Sequence, residues 1–422
     1  MQKVISKNST HKDFRFVKKT AGIEEYEYIP NGLTVLYSKD STAPVVAVNV
    51  TYRVGSRHEV AGHTGATHIL EHMMFKGSKN YNKQNGKSIW SLLEKKGAKM
   101  NATTWFDRTN YYELIPKEYL IDALGVEADR MRELMFDAKE LEKEMVVVRN
   151  EFERGENDPV EALDKAIWSS AFLAHGYHHS TIGWRSDIES TNIDKLKAFY
   201  ERFYWPNNAT LVVAGDVTKE ELFPQIAETF GKYSRSTKEI HSPLTEEPVQ
   251  EGTRRVVVER AGELPLISVA HKAVNARHKN SAPLAVLLHL LSGSRTSRLY
   301  KALVDTGLAV SVQGMDYGLT LHDTGLFQIH LTLTGKASAE EVESIIFKEY
   351  EKIKKSVSEK ELKNVKAVAK AGMILSRDGV LSLVQNLNES IASGDWTLYP
   401  DGLKAIEKVS VADVLRVAKE YL

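Results

Sequence analysis

Two histidines and a glutamate lie close together in the run His68-Ile69-Leu70-Glu71-His72. Residues four apart on an α-helix lie on the same face, so His68 and His72 can direct their imidazoles at one point. This arrangement provides the first two ligands of a zinc ion, and Glu71 adds a carboxylate beside them. The alternative is an amphipathic helix whose histidines have no chemical role. The motif therefore predicts a metal site if its context supplies further ligands.

Glu144 and Glu151 are the candidate carboxylates for completing this site. They lie seven residues apart in 140–154 (ELEKEMVVVRNEFER), a predicted helix, so both point the same way. Such a pair usually forms a solvated face. The valines at 146–148 indicate instead that the helix is at least half buried, and a buried carboxylate needs a partner such as a metal.

Other histidines compete as ligands but rank below the helical pair. His63 is five residues before His68, so it lies well off the shared face even on one continuous helix. His175, His178 and His179 belong to a predicted loop, where histidines are more often merely exposed.

The composition is that of a globular protein of at least two large domains. The chain has 422 residues, of which 42% are hydrophobic and 27% charged. The 56 basic and 56 acidic residues balance, so nothing in the net charge argues for a nucleic-acid or anionic-membrane partner. With no cysteine, a zinc site must use histidine and carboxylate ligands, which favours a catalytic site over a closed structural one.

Two further features bear on the surroundings of the protein. No apolar run reaches the length of a membrane span. The N-terminus is basic and polar without an apolar core, so no secretory signal is visible, and cytoplasm and periplasm both stay open.

The elements around the motif indicate where it lies. Glu24–Ser38 turns at Pro30-Asn31-Gly32 and predicts a hairpin, and Val45–Val54 predicts a central strand from whose end the histidine helix starts. Residues 83–96 predict a helix. Asn101–Leu114 has the propensity of one strand, which is either plainly buried or an edge able to add a substrate strand. The remaining elements of the first half are helices at 119–136, 189–204 and 220–233 and a strand at 209–216.

The second half repeats the order of the first at low identity. A polar linker at 234–252 divides a domain at 1–233 from one at 253–422, which begins with predicted strands at 254–259 and 266–272. In the following predicted helix, Leu284, Leu287 and Leu288 stand opposite His68, Glu71 and His72. The second domain is therefore predicted to be a metal-free copy.

These motifs resemble the pitrilysin-like inverzincin metallopeptidases of family M16, in particular the half-sized bacterial type. The resemblance rests on His68-x-x-Glu71-His72 followed by the Glu144-x6-Glu151 helix. Further matching stretches are Asn31-Gly32-Leu33-Thr34-Val35, Val54-Gly55-Ser56-Arg57, Asn101-Ala102-Thr103-Thr104, Trp205-Pro206-Asn207-Asn208 and Gly215-Asp216.

The resemblance implies a zinc-dependent endopeptidase with one zinc ion per chain. His68, His72 and Glu151 would be the zinc ligands, and Glu71 the general base that activates zinc-bound water. Glu144 would support a metal-binding histidine. The stretch Asn101, Ala102 and Thr103 would belong to the edge strand that binds an extended peptide.

The elements and the resemblance together predict an α+β fold of two homologous αβ domains. Each would have a mainly antiparallel sheet with helices on one face, and the two would enclose a peptide-sized chamber like a clamshell.

One feature of the family is expected to be missing. Ser297–Gln313 matches a stretch that, in active second domains, carries an Arg and a Tyr near the substrate carbonyl. The counterparts here are Val304 and Val310, which donate no hydrogen bond. We therefore expect a homologous, zinc-free partner subunit that supplies the pair, with a homodimer as the alternative. The rival interpretation is a weakly active or non-catalytic assembly subunit.

Overall fold

A computed structural model describes residues 10–240, 245–262, 264–376 and 378–422. Within these ranges the chain forms two sheets and fourteen α-helices. The strands are β1 (Phe14–Thr20), β2 (Ile23–Tyr28), β3 (Leu33–Lys39), β4 (Val45–Tyr52), β5 (Lys99–Thr104), β6 (Thr109–Pro116), β7 (Ala209–Gly215), β8 (Leu266–Lys272), β9 (Ala309–Met315) and β10 (Leu326–Leu333). The helices are α1 (Ala66–Met73), α2 (Ile89–Glu94), α3 (Leu120–Arg132), α4 (Ala138–Glu156), α5 (Pro159–Ala171), α6 (Arg185–Glu189), α7 (Ile193–Phe203), α8 (Lys219–Thr229), α9 (Ser281–Ser292), α10 (Ala339–Lys355), α11 (Glu359–Leu375), α12 (Val380–Ala392), α13 (Leu398–Lys408) and α14 (Val411–Tyr421).

The first sheet has seven strands in the order β1-β2-β3-β7-β4-β6-β5. Every pair is antiparallel except β3 and β7, which run parallel. The central strand β7 is buried along its whole length, and β4 is buried except at its first residue. Both are rich in valine and alanine, because a strand covered on both faces needs small and β-branched residues rather than an alternating pattern. The predicted α+β class with a mainly antiparallel sheet is confirmed.

The two faces of β4 have different chemistry. Val46, Val48 and Val50 lie in the hydrophobic core that also contains residues of α1, α3 and α8. Asn49 and Thr51 point to the other face, since side chains alternate along a strand. There the side-chain oxygen of Asn388 on α12 accepts hydrogen bonds from the Asn49 amide at 2.9 Å and the Thr51 hydroxyl at 2.6 Å.

The two compact units are each assembled from separated segments. The first comprises the described residues of Met1–Phe152, His179–Thr245 and Arg377–Ala392, so α12 belongs to it although it lies late in the sequence. The second comprises Glu153–His178, the described residues of Glu246–Ser376, and Ser393–Leu422. The domain limits of 1–233 and 253–422 stay a prediction. In the described part of the linker, 234–240 and 245–252, no helix or strand occurs.

The second unit has a three-stranded antiparallel sheet in the order β8-β10-β9. Helix α9 lies in its core, where Leu284, Leu287 and Leu288 are buried. The predicted second sheet and helix are thus present. Over the part of the chain that the structure describes, no helix is long and apolar enough to cross a membrane.

The prediction of one strand over Asn101–Leu114 is wrong. The segment is a hairpin in which β5 and β6 pair antiparallel, with Thr104 opposite Thr109. Its turn has no glycine or proline to mark it. Instead, the carbonyls of Trp105 and Phe106 accept the N–H groups of Ser56 and Arg57 at 3.1 and 3.0 Å. Contacts distant in sequence therefore hold this turn.

Other predicted elements need smaller corrections. Residues 254–259 form no strand; Val256 and Val257 are exposed, and Arg254 fixes the segment by donating to the carbonyls of Ser170 and Ala171. A β-branched run forms a strand when it has a neighbouring strand to pair with and one buried face. The segment 254–259 has no buried face. The helix predicted at 83–96 is limited to α2, and β1 was not predicted at all.

We expect Asn388→Ala to destabilise the first unit by about 1–3 kcal/mol. The change removes the acceptor of two buried donors, and an unpaired buried polar group costs about that much. Denaturant unfolding measures the effect. Asn386→Ala on the same helix is the control, because the exposed Asn386 amide donates to the Ser382 carbonyl of its own helix. Equal effects of both variants would contradict a role for the buried pair.

Candidate metal centre

Helix α1 begins at a position that only glycine fits. Gly65 has a φ of +83°, and a Cβ there would lie 2.5 Å from the carbonyl oxygen of Ile182. Gly183 also has a positive φ, and its Cβ would lie 2.4 Å from the Gly65 nitrogen. Two backbone segments thus meet without side chains between them, which fixes the point where α1 starts.

The two sides of α1 differ in burial. Ile69, Leu70 and Met73 are fully buried in the core of the first unit. His68 and His72 are half-buried on the other side, and their ring centroids lie 4.7 Å apart. The short helix is thereby anchored by its apolar residues while both imidazoles stay accessible.

Helix α4 brings Glu151 to both histidines. Its Oε2 lies 3.7 Å from His68 Nε2 and 3.5 Å from His72 Nε2. Ligand atoms of these three residues all lie within 4.8 Å of one another, and no other group of three potential ligands does so in the described residues. The separation suits three atoms arranged around one ion.

Glu144, two turns earlier on α4, contacts the other nitrogen of His72. Its Oε2 lies 3.1 Å from His72 Nδ1, and its Oε1 forms an ion pair with Lys76. This contact assigns the proton of His72 to Nδ1 and leaves Nε2 free to bind a metal. Of the valines between the two glutamates, Val148 is buried, and Val146 and Val147 are exposed.

The donor set fits zinc. Burial, together with a smaller effect of the neighbouring His72, lowers the pKa of His68 to about 3, so the His68 imidazole is neutral and able to coordinate. Two imidazole nitrogens and one carboxylate oxygen would supply three ligands, the number that catalytic zinc sites take from the protein. The residues that would hold the ion are His68, His72 and Glu151.

Glu71 lies on the same helix and contacts the edge of the sheet. Its Oε2 accepts a hydrogen bond from the Thr104 hydroxyl at the end of β5. Burial raises the pKa of Glu71, while the Thr104 hydrogen bond opposes that shift. Nearby, the Arg108 guanidinium donates to the Thr103 carbonyl at 3.1 Å and to Glu389 of α12 at 2.8 Å. The hairpin thus holds Thr104 against Glu71.

The predicted substrate segment lies on β5, which is the last strand of the sheet among the described residues. Asn101 and Thr103 are exposed, whereas Ala102 is buried on the α1 side. The Asn101 side-chain oxygen accepts the Ala102 N–H at 2.9 Å. The edge is therefore near Glu71, and one of its backbone donors is already bonded within the chain.

The competing histidines are not brought to this centre. His175 Nε2 lies 3.2 Å from Asp323 in the second unit, and His178 Nδ1 lies 3.0 Å from the His175 carbonyl. His179 Nδ1 lies 3.0 Å from the Ser180 carbonyl, and His63 belongs to no potential metal group among the residues that the structure describes.

Two residues of the site were not singled out from the sequence. Lys76 lies four residues after His72, so on a continuous helix the two would share a face. This spacing could have indicated that Lys76 pairs with a carboxylate that also contacts His72. Thr104 belongs to a quoted motif, but only the folded hairpin brings it to Glu71.

Comparisons with known proteins agree along most of the chain. Residues 34–183 match the family described as Insulinase (Peptidase family M16), and residues 190–368 match the one described as Peptidase M16 inactive domain. The first match contains all the potential metal ligands, and the second contains α9.

Individual relatives cover nearly the whole chain. Zinc protease PqqE of Helicobacter pylori is 29% identical over 398 residues, 93% of this chain and 89% of that protein. Mitochondrial-processing peptidase subunit beta of Lentinula edodes is 25% identical over 413 residues, 94% of this chain and 87% of that protein. The crystal structure of a protease from Helicobacter pylori has a TM-score of 0.86 at 28% identity and covers 97% of this chain and 96% of its own.

We expect the purified chain to bind one zinc ion and His68→Ala to abolish that binding. Glu144→Ala should weaken it by about 10–100-fold, because the partner that orients a ligand histidine is lost. Titration against a competing chelator measures both affinities. His63→Ala is the control and should bind as the wild type does; stoichiometric, tight zinc in His68→Ala would contradict the assignment.

Proposed function

Because the chain belongs to peptidase family M16, we propose that it is a zinc-dependent endopeptidase acting on extended peptides or unfolded segments. The observation that carries this proposal is the convergence of His68, His72 and Glu151 beside Glu71. A relative of nearly the same length is named a zinc protease, which supports the metal and the reaction class.

The proposed chemistry divides between the ion and Glu71. A zinc ion held by these residues would polarise the scissile carbonyl and lower the pKa of a water molecule toward about 7. The Oε2 of Glu71 is held by Thr104, which leaves Oε1 to take a proton from the attacking water. The same oxygen can then pass the proton to the leaving amine.

We assign substrate binding to the edge of β5. An extended peptide can add to an unpaired strand edge through main-chain hydrogen bonds. Binding at Asn101, Ala102 and Thr103 would align the peptide beside Thr104 and hence beside Glu71. The Asn101 side chain would have to release the Ala102 N–H for that bond to form.

We further propose that a homologous partner subunit completes the site. Val310 is 55% exposed on β9 and Val304 is half-buried, and neither side chain can donate a hydrogen bond to a developing oxyanion. One such donor is worth about 10²–10³ in rate in other enzymes. The relative from Lentinula edodes is named as a subunit, which supports an assembly of more than one chain.

The second candidate function is a binding or assembly subunit with little activity. The match of residues 190–368 to an inactive domain favours it, as do the two valines. The complete set of potential zinc ligands, with Glu71 beside it, favours the enzyme.

We expect Glu71→Gln to lower kcat by about 10²–10⁴-fold with unchanged zinc content, because the base is lost and the ligands are kept. Cleavage of quenched fluorescent peptides by the zinc-loaded protein measures this. Glu142→Gln, an exposed acid on α4, is the control. Hydrolysis retained in Glu71→Gln would defeat the mechanism.

We expect the complex captured from the native source to cleave peptides at least about 10²-fold faster than the isolated chain, because the partner adds oxyanion donors. The comparison uses the tagged chain alone and with whatever binds it. A complex formed with the tagged Glu71→Gln chain is the control, since it removes the contribution of this active site. Equal activity of the isolated and complexed chains would contradict the partner role.

A further inference from the structure

A buried carboxylate outside the metal motif contacts the first turn of α1. The side chain of Glu59 is fully buried in the loop before the helix. Its Oε2 accepts the Gly65 N–H at 2.8 Å, and its Oε1 accepts the Thr67 N–H at 2.7 Å. Glu59 thereby bonds the residue directly before His68.

Helix α1 has no cap of its own, for a reason that lies in its backbone. The first N–H groups of any helix lack partners within the helix, and a Ser, Thr, Asp or Asn at the cap position usually accepts one of them. Gly65 occupies that position and has no side chain to do so. Its positive φ and the nearby Ile182 carbonyl exclude any larger residue. The acceptor must therefore come from elsewhere in the chain.

Glu59 meets this need with two carboxyl oxygens, one for the Gly65 N–H and one for the Thr67 N–H. Backbone N–H groups that are buried at a helix start need such acceptors, because an unpaired buried donor costs about 1–3 kcal/mol. The neighbouring loop is held separately, because Asp187 accepts the N–H groups of Gly62 at 3.0 Å and Thr64 at 3.2 Å. Glu59 contacts the helix itself, and Asp187 contacts only the loop that leads to it.

Burying the Glu59 carboxyl lowers the stability of the fold. Burial raises the pKa of Glu59 to about 8 even though the N–H groups of Thr67 and Gly65 favour the ionised form. The side chains facing it include His179, whose Nδ1 lies 3.8 Å away, and Thr67, while Asp187 acts at longer range. A buried acid is costly for stability, so its presence at the start of the metal helix points to a role in function.

We propose that Glu59 is a positioning residue that caps α1 and thereby fixes His68 relative to His72 and Glu151, a role that rests on the zinc site proposed above. His68 lies in the first turn, where a helix frays first when its cap is lost. The remaining ligands lie in the last turn of α1 and on α4, so fraying moves His68 away from them.

The test compares Glu59→Gln with Asp187→Asn. Glutamine has nearly the same shape as glutamate but has one acceptor oxygen instead of two. Its NH2 group would therefore face one of the two backbone N–H donors. We expect Glu59→Gln to raise the zinc dissociation constant by about 10–100-fold, to alter the visible spectrum of the cobalt-substituted protein, and to speed amide exchange of Thr67 in the metal-free protein. Asp187→Asn, which disturbs only the loop, should lower the melting temperature and leave the zinc affinity within about threefold of the wild type.

The outcomes separate the two proposals. Wild-type zinc affinity and cobalt spectrum in Glu59→Gln overturn the positioning role while leaving the proposed function intact. Equal loss of zinc affinity in both variants also overturns it, because a general loss of stability would then explain the result. A wild-type chain that binds no zinc removes the proposed function and the positioning role together.

Discussion

The whole site depends on the position of one eight-residue helix. An isolated helix as short as α1 is unstable in water, so its surroundings must supply both its stability and its orientation. The buried residues Ile69, Leu70 and Met73 hold the helix in place by packing in the hydrophobic core that it shares with the first sheet. At its start, the close approach of Gly65 and Gly183 leaves space for no side chain. Because both imidazoles project from this helix, any shift in its position changes both potential ligands at once.

The polar side chains between α1 and α4 form one series of contacts. Lys76 pairs with Glu144, Glu144 contacts His72 Nδ1, and His72 Nε2 faces Glu151. The Lys76 cation at one end of this series pairs with Glu144 and does not compete for the nitrogen that would bind a metal. The two glutamates of α4 thus have different environments although they lie on one face of one helix. Glu144 is mostly buried, and Glu151 is 37% exposed.

The elements that were predicted correctly carry their signals locally. The hairpin of β2 and β3 turns at Pro30-Asn31-Gly32, and those residues specify a turn by themselves. The hairpin of β5 and β6 has no such residues, and its turn is held by the backbone of Ser56 and Arg57. For the same reason the polar face of β4 gave no indication of α12. Asn49 and Asn388 are more than 300 residues apart in the sequence, and only folding shows that they pair.

The sequence alone determined which side chains could share a helical face. The spacing of His68 and His72, and that of Glu144 and Glu151, follows from the helical repeat and needs no knowledge of the fold. The tertiary structure decided which carboxylate faces both Nε2 atoms, which residue holds Glu71, and which carboxylate caps α1. These choices depend on how α1, α4 and the β5–β6 hairpin pack together. Packing is set by contacts between residues distant in sequence, and no local repeat encodes such contacts.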